Sequence, residues 1–296
     1  MKFYLGTHEP SWLGRTRVPL FLSYHRLWRA ETQRKSAFRP ALGEWALDSG
    51  GFTELNAHGR WTIPARRYTT SIRRYVAEIG KLEWCAPQDW MCEDVVLQRT
   101  GLSVRIHQRK SVDSLLELRD IAPELPFVPV LQGWLLGQYL EHIDMYEAAG
   151  IDLRKEPLVC LGTMCRRQDS IRAAFIIREL AENGLRCHAL GAKTTGLAFY
   201  SQLIASSDST AWSDGARHES NRSKKLYGVG KRMLPTCTHA AMTCNNCFDW
   251  AMAWRDSLLA GVPDTTTLAD EHSLDLGSKI RAAHDGALES PFSSRG

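Results

Sequence analysis

The sequence predicts an α/β protein built as a (β/α)8, TIM-type barrel with a zinc-binding element near its C-terminus. Three observations carry that expectation. Short apolar runs with β-branched or aromatic residues recur seven or eight times along 296 residues, each ending in small or polar residues. Segments of helical periodicity lie between several of them, and strand–helix–strand repetition implies parallel strands with crossover helices. A compact Cys/His cluster follows the last run.

The runs are Phe3 to Gly6, Val18 to Ser23, Trp45 to Gly50, Leu82 to Asp89, Phe127 to Gly133, Leu158 to Thr163, Cys187 to Ala192 and Leu203 to Ser209. The first two stand too close together for a helix between them, so that edge of the sheet is expected to be irregular. Tyr68 to Ile79 has apolar residues at helical spacing with arginines on another face. Val112 to Ile121, Leu135 to Ala149 and Asp169 to Asn183 read the same way, and Gly150 and Gly184 fall where helix C-caps belong. From Ser213 to Gly230 the chain is polar, charged and glycine-containing, which predicts a loop. An amphipathic helix is expected from Phe248 to Ala260, and the tail from Asp264 is polar, with Ser290 to Gly296 read as disordered. The expected division is a barrel over 1–230, a zinc-binding element with its packing helix over 231–275, and a disordered tail over 276–296.

With 44% hydrophobic and 24% charged residues, the composition suits a soluble globular protein with a substantial core. No stretch approaches the roughly 20 apolar residues of a membrane helix, and no secretory pattern opens the chain. The expected location is the cytoplasm, and the eight cysteines are read as thiols or metal ligands rather than a disulfide framework. The net charge of +4 is mild, but the cations cluster. Arg15, Arg17, Arg26 and Arg29 form one group, and Arg66, Arg67, Arg73 and Arg74 a second. Arg217, Arg222, Lys224, Lys225, Lys231 and Arg232 form a third. Such groups suit a polyanion such as nucleic acid, although for any single one a solvated surface is the commoner explanation.

Asp48 directly follows an apolar run, and Ser49, Gly50, Gly51 and Phe52 make a turn on which backbone can lie close to a flat ligand. Its alternative role is to cap the segment that follows. Asp89 ends another run, Gln132 and Gly133 another, and Gly162 and Gly191 end two more. A carboxylate, an amide and exposed backbone groups converging at one barrel mouth suit the edge of a purine. Asp208 ends the last run, and either caps a helix from Ser209 or forms a carboxylate pair with Asp48. Two carboxylates at one mouth suit glycosyl transfer, one attacking the anomeric carbon and the other moving protons. Cys237, His239, Cys244 and Cys247 have the spacing of a tetrahedral, structural zinc site, with His272 as an alternative to His239. Cys85, Cys92, Cys160, Cys165 and Cys187 lie in or beside apolar runs and read as buried thiols.

These residues resemble the tRNA-guanine transglycosylase superfamily. The resemblance rests on Asp48 to Phe52, Gln132-Gly133, Leu161-Gly162, the segment Ser207 to Trp212 and the following Cys/His site, in that order over most of residues 1–260. Thr53 and Trp134 depart from the pattern of the tRNA enzymes, as does the Cys-x-His element that replaces their first cysteine. Gly6 to Pro10, Val18 to Ser23, Cys165 to Arg167 and the Cys/His knuckle resemble the DNA-acting branch, the DpdA family. The resemblance implies exchange of guanine in DNA for a 7-deazaguanine such as preQ0. Asp208 would be the nucleophile and Asp48 the acid and base. Ser49 to Phe52, Asp89, Gln132, Gly133 and Gly162 would hold the base. It further implies DNA and free preQ0 as partners, a possible DNA-opening helper protein, and a bacterial or phage-infected cell. An atypical tRNA enzyme and a non-catalytic nucleic-acid-binding zinc protein are the alternatives.

Overall fold

The computed structural model describes residues 1–34, 38–164, 170–192, 194–227, 234, 237, 239 and 243–262. Its strands are β1 (Lys2–Thr7), β2 (Leu20–Ser23), β3 (Trp45–Asp48), β4 (Leu82–Cys85), β5 (Val130–Leu131), β6 (Val159–Leu161), β7 (Cys187–Ala189) and β8 (Ser206–Ser209). They form one curled sheet in the order β4-β3-β2-β1-β8-β7-β6-β5, and every pairing is parallel. First and last strands are neighbours, with Tyr4 opposite Asp208. At the other extreme, the chain entering β5 meets β4 through a parallel bridge between Cys85 and Phe127. There the Cys85 N–H donates to Pro126 O (2.9 Å) and the Val128 N–H to Cys85 O (3.1 Å).

Alternation along each strand sorts its side chains onto two faces. Phe3, Leu5, Leu20, Leu22, Trp45, Leu47 and Val159 face outward, into the main core beneath the helices. Tyr4, Phe21, Ala46, Trp84, Val130 and Cys160 face inward and form a second core. Both faces are therefore dry, which is why the strands read as unbroken apolar runs. One step further along β2, β3 and β8, the inward positions become Ser23, Asp48 and Asp208. The polar residues thus stand at the C-terminal ends of the strands, above an apolar floor.

The helices are α1 (Tyr24–Arg34), α2 (Gly51–His58), α3 (Ala65–Ile79), α4 (Asp94–Thr100), α5 (Val104–Ile121), α6 (Leu136–Ala148), α7 (Ser170–Glu182), α8 (Leu197–Tyr200), α9 (Ala211–Tyr227) and α10 (Phe248–Ala260). The four helices expected between the runs correspond to α3, α5, α6 and α7, and α10 matches its expectation. Helix α3 buries Tyr68, Ile72, Tyr75 and Ile79, while Arg73 and Arg74 point out to Glu124 and Glu78. Between β1 and β2 there is only a 3-10 turn, Pro10–Gly14, the irregular edge the sequence implies.

Two expectations need correction. The stretch from Ser213 is not a loop, because α9 runs to Tyr227; residues 228–230 lie outside the described residues. The buried side of α9 is Trp212 followed by Ser213, Ala216, Ser220 and Ser223, so after the first turn it is a stripe of small and hydroxyl groups that hydropathy does not register. Asp214 supports the helix through His218 (3.2 Å) and Arg217 (3.7 Å), one turn on. The run Leu82 to Asp89 also ends early, since β4 stops at Cys85. Asp89 therefore stands in the following loop, where its own N–H closes a tight turn onto Pro87 O. The expected tail beyond 262, His272 included, lies outside the described residues.

Candidate active site

Asp48 ends β3 half-buried, and the backbone folds back on it at once. Gly50 adopts φ +81°, and its N–H donates to Asp48 Oδ2 (3.1 Å). A side chain there is excluded twice, by the left-handed backbone and by His25, whose Cδ2 would lie 2.4 Å from a Cβ. Burial pushes the Asp48 carboxyl up to about 7, the charges of Asp89 and Asp208 push the same way, and hydrogen bonds from Ser23 and Gly50 oppose them. Asp48 therefore shares its electrostatic environment with two other carboxylates, one from each side of the sheet.

Asp208 is buried on β8, where Oδ1 accepts the Gly191 N–H (2.7 Å) and faces His188 Nε2 (3.2 Å). It is not a helix cap: α9 starts three residues later, and Ser209 Oγ accepts the Ala211 N–H. Asp89 is gripped at both oxygens, Oδ1 by the Ser49 hydroxyl (2.9 Å) and Oδ2 by the Gln132 amide (2.6 Å). Burial nonetheless raises its pKa.

Gln132 is itself held at both ends, since its Oε1 accepts the Thr163 hydroxyl (2.7 Å) while its Nε2 serves Asp89. Thr163 presents that hydroxyl from φ +59°, a conformation β-branched residues seldom adopt. Gly162 is what admits the Gln132 side chain, because a Cβ there would lie 2.2 Å from its Nε2. Gly162→Ala is thus expected to displace the amide and release Asp89 and, if the site exchanges bases as the resemblance implies, to lower kcat/KM by about 10²-fold. Parallel kinetics and thermal melts of the variant check that the loss exceeds any loss of folded protein.

The remaining expected residues divide. Ser49 and Gly51 border Asp89, the latter with its Cα facing Asp89 O and Trp61. Phe52 packs instead with Leu55, Trp90 and Val96, supporting the wall from outside. Gly133 abuts Gln138 and Tyr139 at the start of α6. Sequence reading missed Ser23, His188 and Thr163. A histidine between Cys187 and Ala189 carries the signal, because alternation aims it inward, into the space Asp208 shares.

At the end of β1, His8 has its pKa lowered by burial and by the charges of Arg26 and Arg217. Arginines from α1 and α9 therefore converge beside the strand ends. The second basic group is different, with Arg73 and Arg74 paired to acids and Arg67 lying over Trp28. Arg15 likewise packs on the Phe248 ring (4.1 Å).

Cys237, His239, Cys244 and Cys247 bring their ligand atoms within 4.8 Å of one another. Cys237 Sγ lies 3.6 Å from Cys244 Sγ and 3.3 Å from Cys247 Sγ, and His239 Nε2 lies 3.3 Å from Cys244 Sγ. Two sulfurs on one tetrahedral zinc stand about 3.7 Å apart, so the donor set and its spacing fit that ion. Burial and the adjacent thiols push Cys237 up to about 12, a penalty that a bound cation reverses. The cluster packs on Ala216 of α9, and Cys247 caps α10. Cys244→Ala is expected to lose the metal and lower the melting temperature by roughly 10 °C, as measured by elemental analysis and thermal denaturation. Cys85, Cys92, Cys160 and Cys187 are buried thiols with raised pKa values, as expected. Cys165 lies outside the described residues.

Among the described residues no helix is long and apolar enough to cross a membrane. No individual curated protein matches the chain significantly. The family model for DpdA, DeoxyPurine in DNA protein A, matches residues 1–282. Covering nearly the whole sequence, that match shows that the chain belongs to the DpdA family, which ties it to deazapurine modification of DNA.

Proposed function

We propose that the protein is a DNA-guanine transglycosylase that exchanges guanine in DNA for a 7-deazaguanine base such as preQ0. The observation that carries this reading is the pair of carboxylates at the ends of β3 and β8, held by different hydrogen-bond partners. Asp48 has its pKa near 7, suited to passing a proton both ways. Asp208 is held in place by the Gly191 N–H and by contact with His188, which orients it for attack. On this reading the bridge at Cys85 closes the sheet as a (β/α)8 barrel, and the site is its C-terminal mouth.

The target nucleotide leaves the duplex and enters the mouth. A carboxylate oxygen of Asp208 bonds to the anomeric carbon. The bond from that carbon to the glycosidic nitrogen breaks, its electron pair goes to the base, and Asp48 supplies the proton. The incoming base then loses its proton to Asp48, its nitrogen bonds to the anomeric carbon, and Asp208 leaves as the carboxylate. One glycosidic bond replaces another, so the cycle closes without ATP or an oxidant. Asp89 and Gln132, braced by Ser49 and Thr163, line the side on which the purine edge is read, with backbone near Gly133 and Gly162. Arg26 and Arg217 neutralise backbone phosphate, so affinity falls as salt rises. Zinc, held by Cys237, His239, Cys244 and Cys247, would fix the corner between α9 and α10.

The test is incubation of single-stranded and duplex DNA with the protein and preQ0, then digestion to nucleosides and mass analysis. Deoxy-preQ0 nucleoside is the expected product. Modified tRNA with unmodified DNA would assign the protein to RNA, and salt-sensitive DNA binding without exchange of any base supplied would make it a binding protein. Exchange on single-stranded DNA alone would indicate that duplex substrates need a separate strand-opening protein.

A further inference from the structure

We propose that His188 is a positioning residue for the nucleophile and that it designates Oδ2 of Asp208 as the attacking oxygen, an inference that rests on the base-exchange reading. His188 is fully buried on β7. Its ring meets Trp84 edge-on at 4.7 Å and lies 5.8 Å from Tyr4 and 5.9 Å from Phe21, so aromatic neighbours fix its plane. Nδ1 lies 2.8 Å from Ser206 Oγ and Nε2 lies 3.2 Å from Asp208 Oδ1. Both partners belong to β8, two residues apart, and so face the same way. The ring spans them like a brace across neighbouring strands.

An ionised carboxylate only accepts hydrogen bonds, so Nε2 carries the hydrogen and the Ser206 hydroxyl meets the other nitrogen. The Gly191 N–H reaches the same Oδ1, from a backbone at φ +57°. Oδ1 thus has two donors, whereas Oδ2 has no hydrogen bond among the described residues. The donors draw charge toward Oδ1 and set the carboxylate plane, leaving Oδ2 with both lone pairs for the anomeric carbon. In the glycosyl ester Oδ1 becomes the carbonyl oxygen, still facing the same N–H groups. On the return step these groups receive the charge of the departing carboxylate.

Single-turnover formation of the protein–DNA adduct tests the role. His188→Leu removes the donor and is expected to slow adduct formation by about 50-fold with DNA affinity unchanged. His188→Gln restores an N–H near the Nε2 position and is expected to recover the rate to within about 5-fold of wild type. A folded leucine variant acting at the wild-type rate, or equal losses in the two variants, overturns the proposal. Nitrogen NMR of the histidine-labelled wild-type protein needs no variant at position 188 and no activity. It should show hydrogen on Nε2 of His188, with a signal that shifts in Asp208→Asn, and a ring protonated on Nδ1 alone overturns the proposal. Absence of any adduct in wild type, with that NMR signature present, would instead locate the failure in the base-exchange reading.

Discussion

Asp208→Asn is expected to abolish the covalent protein–DNA adduct and lower base exchange by about 10⁴-fold or more, leaving the fold intact. The amide keeps the size and planarity of the carboxylate, and its oxygen can still accept from Gly191 and His188. What it lacks is the negative charge that stabilises the developing cation at the anomeric carbon and the electron pair that captures it. Denaturing gel analysis of protein stalled on labelled DNA reads the adduct directly, and nucleoside analysis reads exchange. DNA affinity should change little, because the substitution removes no cation. Full exchange by this variant would remove Asp208 from the chemistry.

Asp48→Asn is expected to cost about 10²- to 10⁴-fold in exchange and to change how stability depends on pH. In wild type, with the Asp48 pKa near 7, the rate of exchange should be greatest around neutrality. On the proposed mechanism, guanine departure needs the protonated group and entry of the new base needs the ionised one. The same shift has a defined sign for folding. Between the ordinary value of 3.8 and about 7, the folded protein keeps a proton that the unfolded chain has released. Stability therefore falls as pH rises through that window, and the full penalty is present above it. Asparagine carries no such penalty. The variant should melt higher than wild type at pH 8, with a gain on the order of 2 kcal/mol after allowance for partial solvent contact. At pH 4 the two should converge. Melting curves from pH 4 to 9 check the sign, and a variant less stable than wild type at pH 8 contradicts the origin assigned to the shift.

Periodicity makes the parallel strands and the helices α3, α5, α6, α7 and α10 legible, because both sheet faces and one helix face must be apolar. Helix α9 is invisible to it, since beyond Trp212 its buried stripe is serine and alanine, which carry no hydropathy signal. Asp48, Asp208 and the four metal ligands are legible as residue types at telling positions: acids at the ends of apolar runs, soft ligands at short spacing. Asp89 is legible as an acid but is misplaced on the strand by the apolar run, although Pro87, which has no N–H to give a ladder, marks that the strand has already ended.

The sequence by itself determined the strand-and-helix alternation, the placing of Asp48 and Asp208 at the ends of apolar runs, and the Cys/His donor set. These depend on local period and chemistry, which one chain segment contains in full. Tertiary structure alone decided that Gln132 is clamped between Asp89 and Thr163, that Gly162 makes room for it, and that His188 leans on Asp208. Each of these contacts joins side chains from separate strands or loops, and its geometry depends on how far the sheet curls, a property of all eight strands together.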